Sequence, residues 1–188
     1  MTTRLQKLRT LLALGPSNIA RVGLYRVALK LGCHPSQKIN APIAKGPFFY
    51  TSQIEGTSER VARTNWDQGT MPLFGQQVVL PSEHQPIPDW LRSPLGGQPV
   101  EANAPWWTIS DFDTAAGDIK TIWEASRFDW ILVFAQQAAL GDKQALLKLN
   151  QWLEDWGHHN PPYCGPNWKC GQETSLRVMH LCAAALIL

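Results

Sequence analysis

Of the 14 prolines in this 188-residue chain, ten lie between Pro35 and Pro105, and that clustering divides what the chain can fold into. Proline has no amide hydrogen and its ring clashes with the carbonyl four residues back, so so dense a stretch excludes long regular helix. Interspersed Gly, Ser and Asn, with the short β-prone pieces Pro47-Phe-Phe-Tyr-Thr51 and Gln77-Val-Val-Leu80, predict loops and a little sheet that wrap a helical body. Trp66, Phe74, Trp90, Trp106 and Trp107 are expected to anchor the wrapping by apolar burial.

The sequence on either side is periodic. Residues 1–32 predict a helical pair broken at Gly15-Pro16, with Ser17 as an N-cap and Gly32 as the stop. In the second helix Ile19, Val22, Leu24, Val27, Ala28 and Leu31 recur at helical spacing while Arg21, Arg26 and Lys30 project elsewhere, a pattern that expects something larger to pack on. From Asp118 the helical period returns. Trp123, Trp130, Ile131, Phe134 and Ala138 mark one helix ending at Gly141; Leu146, Leu149, Leu153 and Trp156 mark the next, ending at Gly157. The short link between them predicts an antiparallel αα-hairpin. A third helix is expected from about Gly171 through Leu176, Met179, His180, Ala183, Ala184 and Ile187. It lacks a capping Gly or Asn and grows more apolar toward Leu188, which predicts a chain truncated at its C-terminus, an exposed face on the third helix, and low stability or aggregation.

The expected fold is therefore mainly α: residues 1–32 a helical pair, 33–117 a Pro/Gly-rich wrapping segment with short strands, and 118–188 the start of an incomplete α/α toroid. The toroid reading rests on an echo. Trp123-Glu124 is followed by Arg127, and Asn167-Trp168 by Glu173 and Arg177, so a tryptophan and an acid–base pair stand near the start of alternate helices. The plainer reading makes these ordinary helix-stabilising pairs, about 0.2 to 0.5 kcal/mol each.

Composition excludes several classes. With 44% apolar and only 17% charged residues, the chain can build one sizeable core and is not disordered. The net charge of +2 is carried by basic residues spaced among apolar ones, as on solvated helix faces rather than a nucleic-acid-binding stripe. No segment reaches the ~18 to 20 apolar residues of a membrane span, and Leu11-Leu12-Ala13-Leu14 falls short of the ~7 of a secretory h-region, so a cytoplasmic location is expected. Cys33 and Cys182 sit among apolar residues, where buried reduced thiols are expected, and four cysteines imply no disulfide framework. His158, His159, Cys164 and Cys170 crowd one loop, but Cys-x5-Cys with adjacent histidines is not the paired spacing of a zinc site. A Cys164 nucleophile with His158 or His159 lacks an orienting acid or a marked oxyanion hole. The reading calls for no metal and no other cofactor. A regular helical-repeat module is broken by the proline-rich middle.

The residues Asp118-Ile-Lys-Thr-Ile-Trp-Glu-Ala-Ser-Arg-Phe-Asp-Trp130, then Trp156, Asn160-Pro, Gly165-Pro-Asn-Trp168 and Glu173 to Arg177, resemble the N-terminal part of the heparinase II/III family. Ala20-Arg-Val-Gly-Leu-Tyr-Arg26 and Gly46-Pro-Phe-Phe49 are similar to the lead-in of bacterial members. The resemblance implies an incomplete α/α toroid followed by a β-sandwich domain missing here, and β-elimination on a uronic-acid-containing polysaccharide. That chemistry needs a group to neutralise the carboxylate and Tyr or His to move protons. The family's Asn-Asn-His type motif lies after the matched segment. No Asn-His dipeptide occurs in this chain, so no catalytic residue is expected in it and it should not turn over substrate alone.

A sugar-binding role remains for the scaffold. Trp123, Trp168 and Tyr163 could stack on pyranose faces; Arg127, Arg177 and Lys169 could meet uronate or sulfate; Asn167-Trp168 precedes a helix start whose amides favour anions. The partner implied is an acidic polysaccharide, with no nucleic acid. The alternatives are that the tryptophans are core and the arginines caps, and that the protein is a non-catalytic carbohydrate-binding or protein-interaction module.

Overall fold

The computed structural model describes residues 4–50, 64–82 and 87–188, and its compact units are Met1–Asn40 and Ala41–Leu188. The fold is mainly helical, with little strand.

In the first unit, α1 (Arg4–Leu14) and α2 (Pro16–Lys30) break where the sequence places a Gly-Pro step. The cap differs from expectation. Gly15 holds the N-cap position at φ 79° and Pro16 supplies the pre-set φ of the first helical residue, so Ser17 falls inside the first turn and caps nothing. Gly32, at φ 72°, closes the other end: its amide donates to the Leu29 carbonyl at 3.2 Å and the Cys33 amide to that of Ala28 at 3.0 Å, a Schellman pair. A single turn at Pro35–Lys38 follows, tied to α2 by Gln37 Nε2 donating to the Leu29 carbonyl at 2.9 Å and by the His34 ring set edge-on to Tyr25. No residue of α2 is buried. Cys33, expected to be buried, is exposed where the chain leaves the helix past the Gly32 stop.

The second unit begins, among the described residues, with irregular chain. Residues 47–50 do not form the expected strand piece, and Thr51 lies outside the described residues. Their amides are used otherwise: those of Phe48 and Phe49 both donate to the Asn150 side-chain oxygen, at 2.7 and 2.9 Å, and the Asn150 amide donates to the Phe49 carbonyl at 3.0 Å. One asparagine on a helix thus replaces a neighbouring strand. The second piece does form a strand. β1 (Thr70–Leu73) pairs antiparallel with β2 (Gln76–Val79) through Phe74-Gly75, both at positive φ as a two-residue hairpin requires. Phe74 therefore stands at the tip, 77% exposed, and is no anchor; Trp66 and Trp90 are buried, and Trp106 and Trp107 are half-buried against each other. A second short ladder joins β3 (Phe112–Asp113) to β4 (Gly117–Asp118) and leads into the helices.

There the expected single helix from Asp118 to Gly141 is two: α3 (Ile119–Ala125) and α4 (Asp129–Ala139). The break is built by tertiary contacts. Phe128 takes a left-handed conformation, φ 73°, unfavourable for an aromatic residue, and two indoles bond the residues of the break, one at the backbone and one at a side chain. Trp130 Nε1 donates to the Ala125 carbonyl at 3.2 Å, and Trp156 Nε1 to the fully buried Ser126 hydroxyl at 3.0 Å. Gly141, at φ 99°, and Asp142, whose carboxylate caps the amides of Gln144 and Ala145, then turn the chain into α5 (Lys143–His159). Gly157 lies inside α5 and does not end it. α6 (Gly171–Ile187) packs with α5 against the central α4.

The core is aromatic. Trp90, Trp130, Trp152 and Phe134 are buried with ring centroids 5.2 to 6.0 Å apart, and Phe128 links them to Trp156 at 4.9 Å. Rings of this size each remove on the order of 150 to 250 Å² from water, so this cluster dominates the burial energy. α6 contributes little to it: Val178, Met179 and Leu186 face solvent and Cys182 is exposed, against the expected burial, while the residues it buries include Glu173 and Arg177.

Candidate functional site

The segment Asn160 to Arg177 folds around two asparagines. Asn160 ends α5, and its side-chain oxygen accepts from Asn167 Nδ2 at 2.8 Å while its carbonyl accepts from Trp168 Nε1 at 3.0 Å. Asn167, wholly buried in the turn Pro166–Trp168, also donates to the Trp90 carbonyl at 3.1 Å. The loop is clamped from outside at Gly165, whose amide donates to the Ala104 carbonyl at 2.8 Å. A Cβ there would lie 3.0 Å from the Ala102 carbonyl oxygen at a φ of 75°, so only glycine fits comfortably. Lys169, paired with Asp111 at 2.6 Å, pins the far side.

The helix that follows the loop carries a partly buried charge network. Arg127 makes a forked pair with Glu173, Nε to Oε2 at 2.8 Å and Nη2 to Oε1 at 2.9 Å, and its Nη1 donates to Glu124 at 2.6 Å. The two acid–base pairs noted in the sequence are thus not separate. Glu173 reaches across to Arg127 of the α3–α4 junction, and Arg177 turns away to donate to the Asn167 carbonyl at 2.7 Å and the Thr174 hydroxyl at 3.0 Å. The hydrogen bonds to Glu173 raise the Arg127 pKa above its ordinary value, and burial raises that of Glu124 despite the neighbouring guanidinium. For Arg177 burial dominates and pulls the guanidinium down to about 10, opposed by the Glu173 charge. Two buried atoms here have no hydrogen-bond partner among the described residues, Arg177 Nη1 and Asn167 Oδ1. His180 Nδ1 lies 2.6 Å from the Arg127 carbonyl and holds α6 to the same junction.

A pocket of about 390 Å³ is lined by Phe48, Phe128, Trp156, Asn160, Tyr163, Trp168 and Leu181, among others. Its walls are aromatic planes: Tyr163, held at φ 64°, lies 5.5 Å from Trp168, and Trp168 lies 6.0 Å from Trp156. The Arg177 guanidinium sits 5.1 Å from the Trp156 ring and 5.5 Å from that of Trp168, so both faces carry a cation–π contact.

No family model, curated protein or solved structure matches this chain.

The residues singled out from sequence separate into three places. Trp168 and Tyr163 line the pocket. Asn167 and Arg177 are buried in the hydrogen-bonded framework, their polar atoms turned mostly to the protein. Trp123 is 8% exposed, donates to the Pro166 carbonyl at 2.9 Å and does not line the pocket, while Arg127 spends its donors on Glu173 and Glu124. The sequence reading missed Phe128, Asn160 and Trp156 as pocket residues. Trp156 and Asn160 stand four apart on one helix face, a visible signal, but nothing local marks Phe128 at a helix break. Among the described residues no group of three or more His, Cys, Asp or Glu could hold a metal, and no helix is long and apolar enough to cross a membrane. The pocket offers flat apolar surface with few polar groups, which suits stacking against a ring face and not proton transfer.

Proposed function

We propose that Ala41–Leu188 is part of a heparinase II/III-like α/α toroid whose aromatic pocket holds a sugar ring of an acidic polysaccharide, and that this chain binds without cleaving. The observation that carries the reading is the Tyr163–Trp168–Trp156 series lining the pocket. Successive aromatic planes accept the C–H face of a pyranose, and the cation behind two of them favours an anionic ring over a neutral one.

The test is tryptophan fluorescence titration with uronate oligosaccharides, run beside a neutral oligosaccharide. Saturable quenching by the uronate, weakened at least tenfold in Tyr163→Ala and in Trp168→Phe, is expected, with no rise in ultraviolet absorbance from unsaturated products. Equal response in wild type and both variants would sink the pocket assignment. Product formation by the chain alone would overturn the non-catalytic reading.

A further inference from the structure

The charge of this protein is divided unevenly along the chain. Residues 1–40 hold seven basic residues and no acidic one, against ten basic and fifteen acidic in residues 41–188, so the net +2 is +7 and −5. Bare apolar side chains, present in both units, are denser along the basic one. Leu24 and Leu31 are 72% and 73% exposed, and Leu12, Ile19, Val22 and Val27 are exposed beside them. Arg9, Arg21, Arg26 and Lys30 are exposed on the same two helices. Water penalises such an array of bare aliphatics, and a surface of phosphates alone would answer only the cations. An anionic bilayer interface meets both demands, since acyl chains take up the aliphatics while headgroup phosphates and carboxylates face the guanidinium and ammonium groups.

We infer that α1 and α2 bind the surface of anionic membranes, lying in the headgroup region without spanning it. The Gly15-Pro16 step lets two short helices lie on a surface as separate segments, and neither is long enough to cross. Attachment is electrostatic and apolar together, so it responds to both salt and aliphatic truncation. Each basic residue near such a surface is worth about a fivefold change in partitioning, so loss of three predicts a decrease of roughly a hundredfold.

The experiment is sedimentation of the full chain with phosphatidylcholine vesicles, with and without phosphatidylserine. Binding is expected only with phosphatidylserine, reduced by high salt, reduced about a hundredfold in R21Q/R26Q/K30Q, and reduced in L24S/V27S at low salt. These side chains are exposed, so circular dichroism of each variant should match wild type. No binding to the anionic vesicles, unchanged binding by the triple variant, equal binding to neutral vesicles, or tighter capture by a duplex oligonucleotide than by vesicles would each overturn the inference. The uronate titration above reads a different unit and can fail or succeed independently.

Discussion

Replacing Glu173 by Gln keeps the shape of the side chain and removes its charge, which isolates what the carboxylate does at the centre of the network. Its side chain is 4% exposed and accepts two guanidinium hydrogen bonds, at 2.8 and 2.9 Å. In the variant one of these becomes an N–H facing an N–H, and the Arg177 guanidinium loses the charge that offsets its burial. Breaking one side of a buried pair costs about 3 to 5 kcal/mol, but Arg127 is 28% exposed and retains Glu124, so the expected loss is about 2 to 4 kcal/mol. With a mid-range urea slope of about 2 kcal/mol/M, the midpoint should fall by roughly 1 to 2 M with the slope unchanged. Glu124→Gln, at a carboxylate 19% exposed on the outer side of Arg127, should lose no more than about 1 kcal/mol. The double variant Arg127→Met/Glu173→Leu removes both charges and should be more stable than Glu173→Gln alone. A Glu173→Gln loss below about 0.5 kcal/mol, or one equal to that of Glu124→Gln, would refute the claim that Glu173 joins the two helical elements.

Asn150→Ala should release residues 48 and 49, since it removes three hydrogen bonds to their backbone: the expected loss is about 2 to 3 kcal/mol, with amide exchange at Phe48 and Phe49 accelerating more than exchange in α5. Acid should act through Asp67. Burial works to raise its pKa, but hydrogen bonds from the Thr64 amide, Gln137 and the Thr64 hydroxyl, with the Lys148 charge, outweigh it and hold the folded value below 3.8. A depressed carboxylate contributes stability above its ordinary pKa that is lost as pH falls below it. Asp67→Asn should therefore be less stable near neutrality and show a flatter fall in Tm below about pH 4, and an acid limb as steep as wild type would count against it.

What was legible in the sequence was the part governed by local chemistry. The Gly-Pro break at 15–16, the Gly32 stop, the αα turn at Gly141 and the helical face of Leu149 and Leu153 follow from backbone allowances and a period of 3.6, which a reader can apply residue by residue. Those same rules placed Ser17 as a cap and ran one helix through residues 126–128, because they could not weigh what the rest of the chain supplies. At the break the Trp130 indole satisfies the Ala125 carbonyl that a continuous helix would have paired, the Trp156 indole holds the Ser126 hydroxyl, and Phe128 accepts a left-handed backbone so that its ring reaches the core. Similarly, Pro47 to Tyr50 carries strand-forming residues, yet Asn150 takes the amides a second strand would have taken.

The candidate site divides the same way. Sequence alone marked Glu124, Arg127, Glu173 and Arg177, Trp168 and Tyr163 as unusual, because acid–base pairs beside tryptophans stand out by spacing. Only the tertiary structure decided that Glu173 belongs to Arg127 rather than to Arg177 four residues on. The physical reason is that helical spacing brings side chains near each other without saying which partner is better desolvated. A forked pair closed by helix packing outcompetes a neighbour on the same helix, and Arg177 is left to support the rings of the pocket.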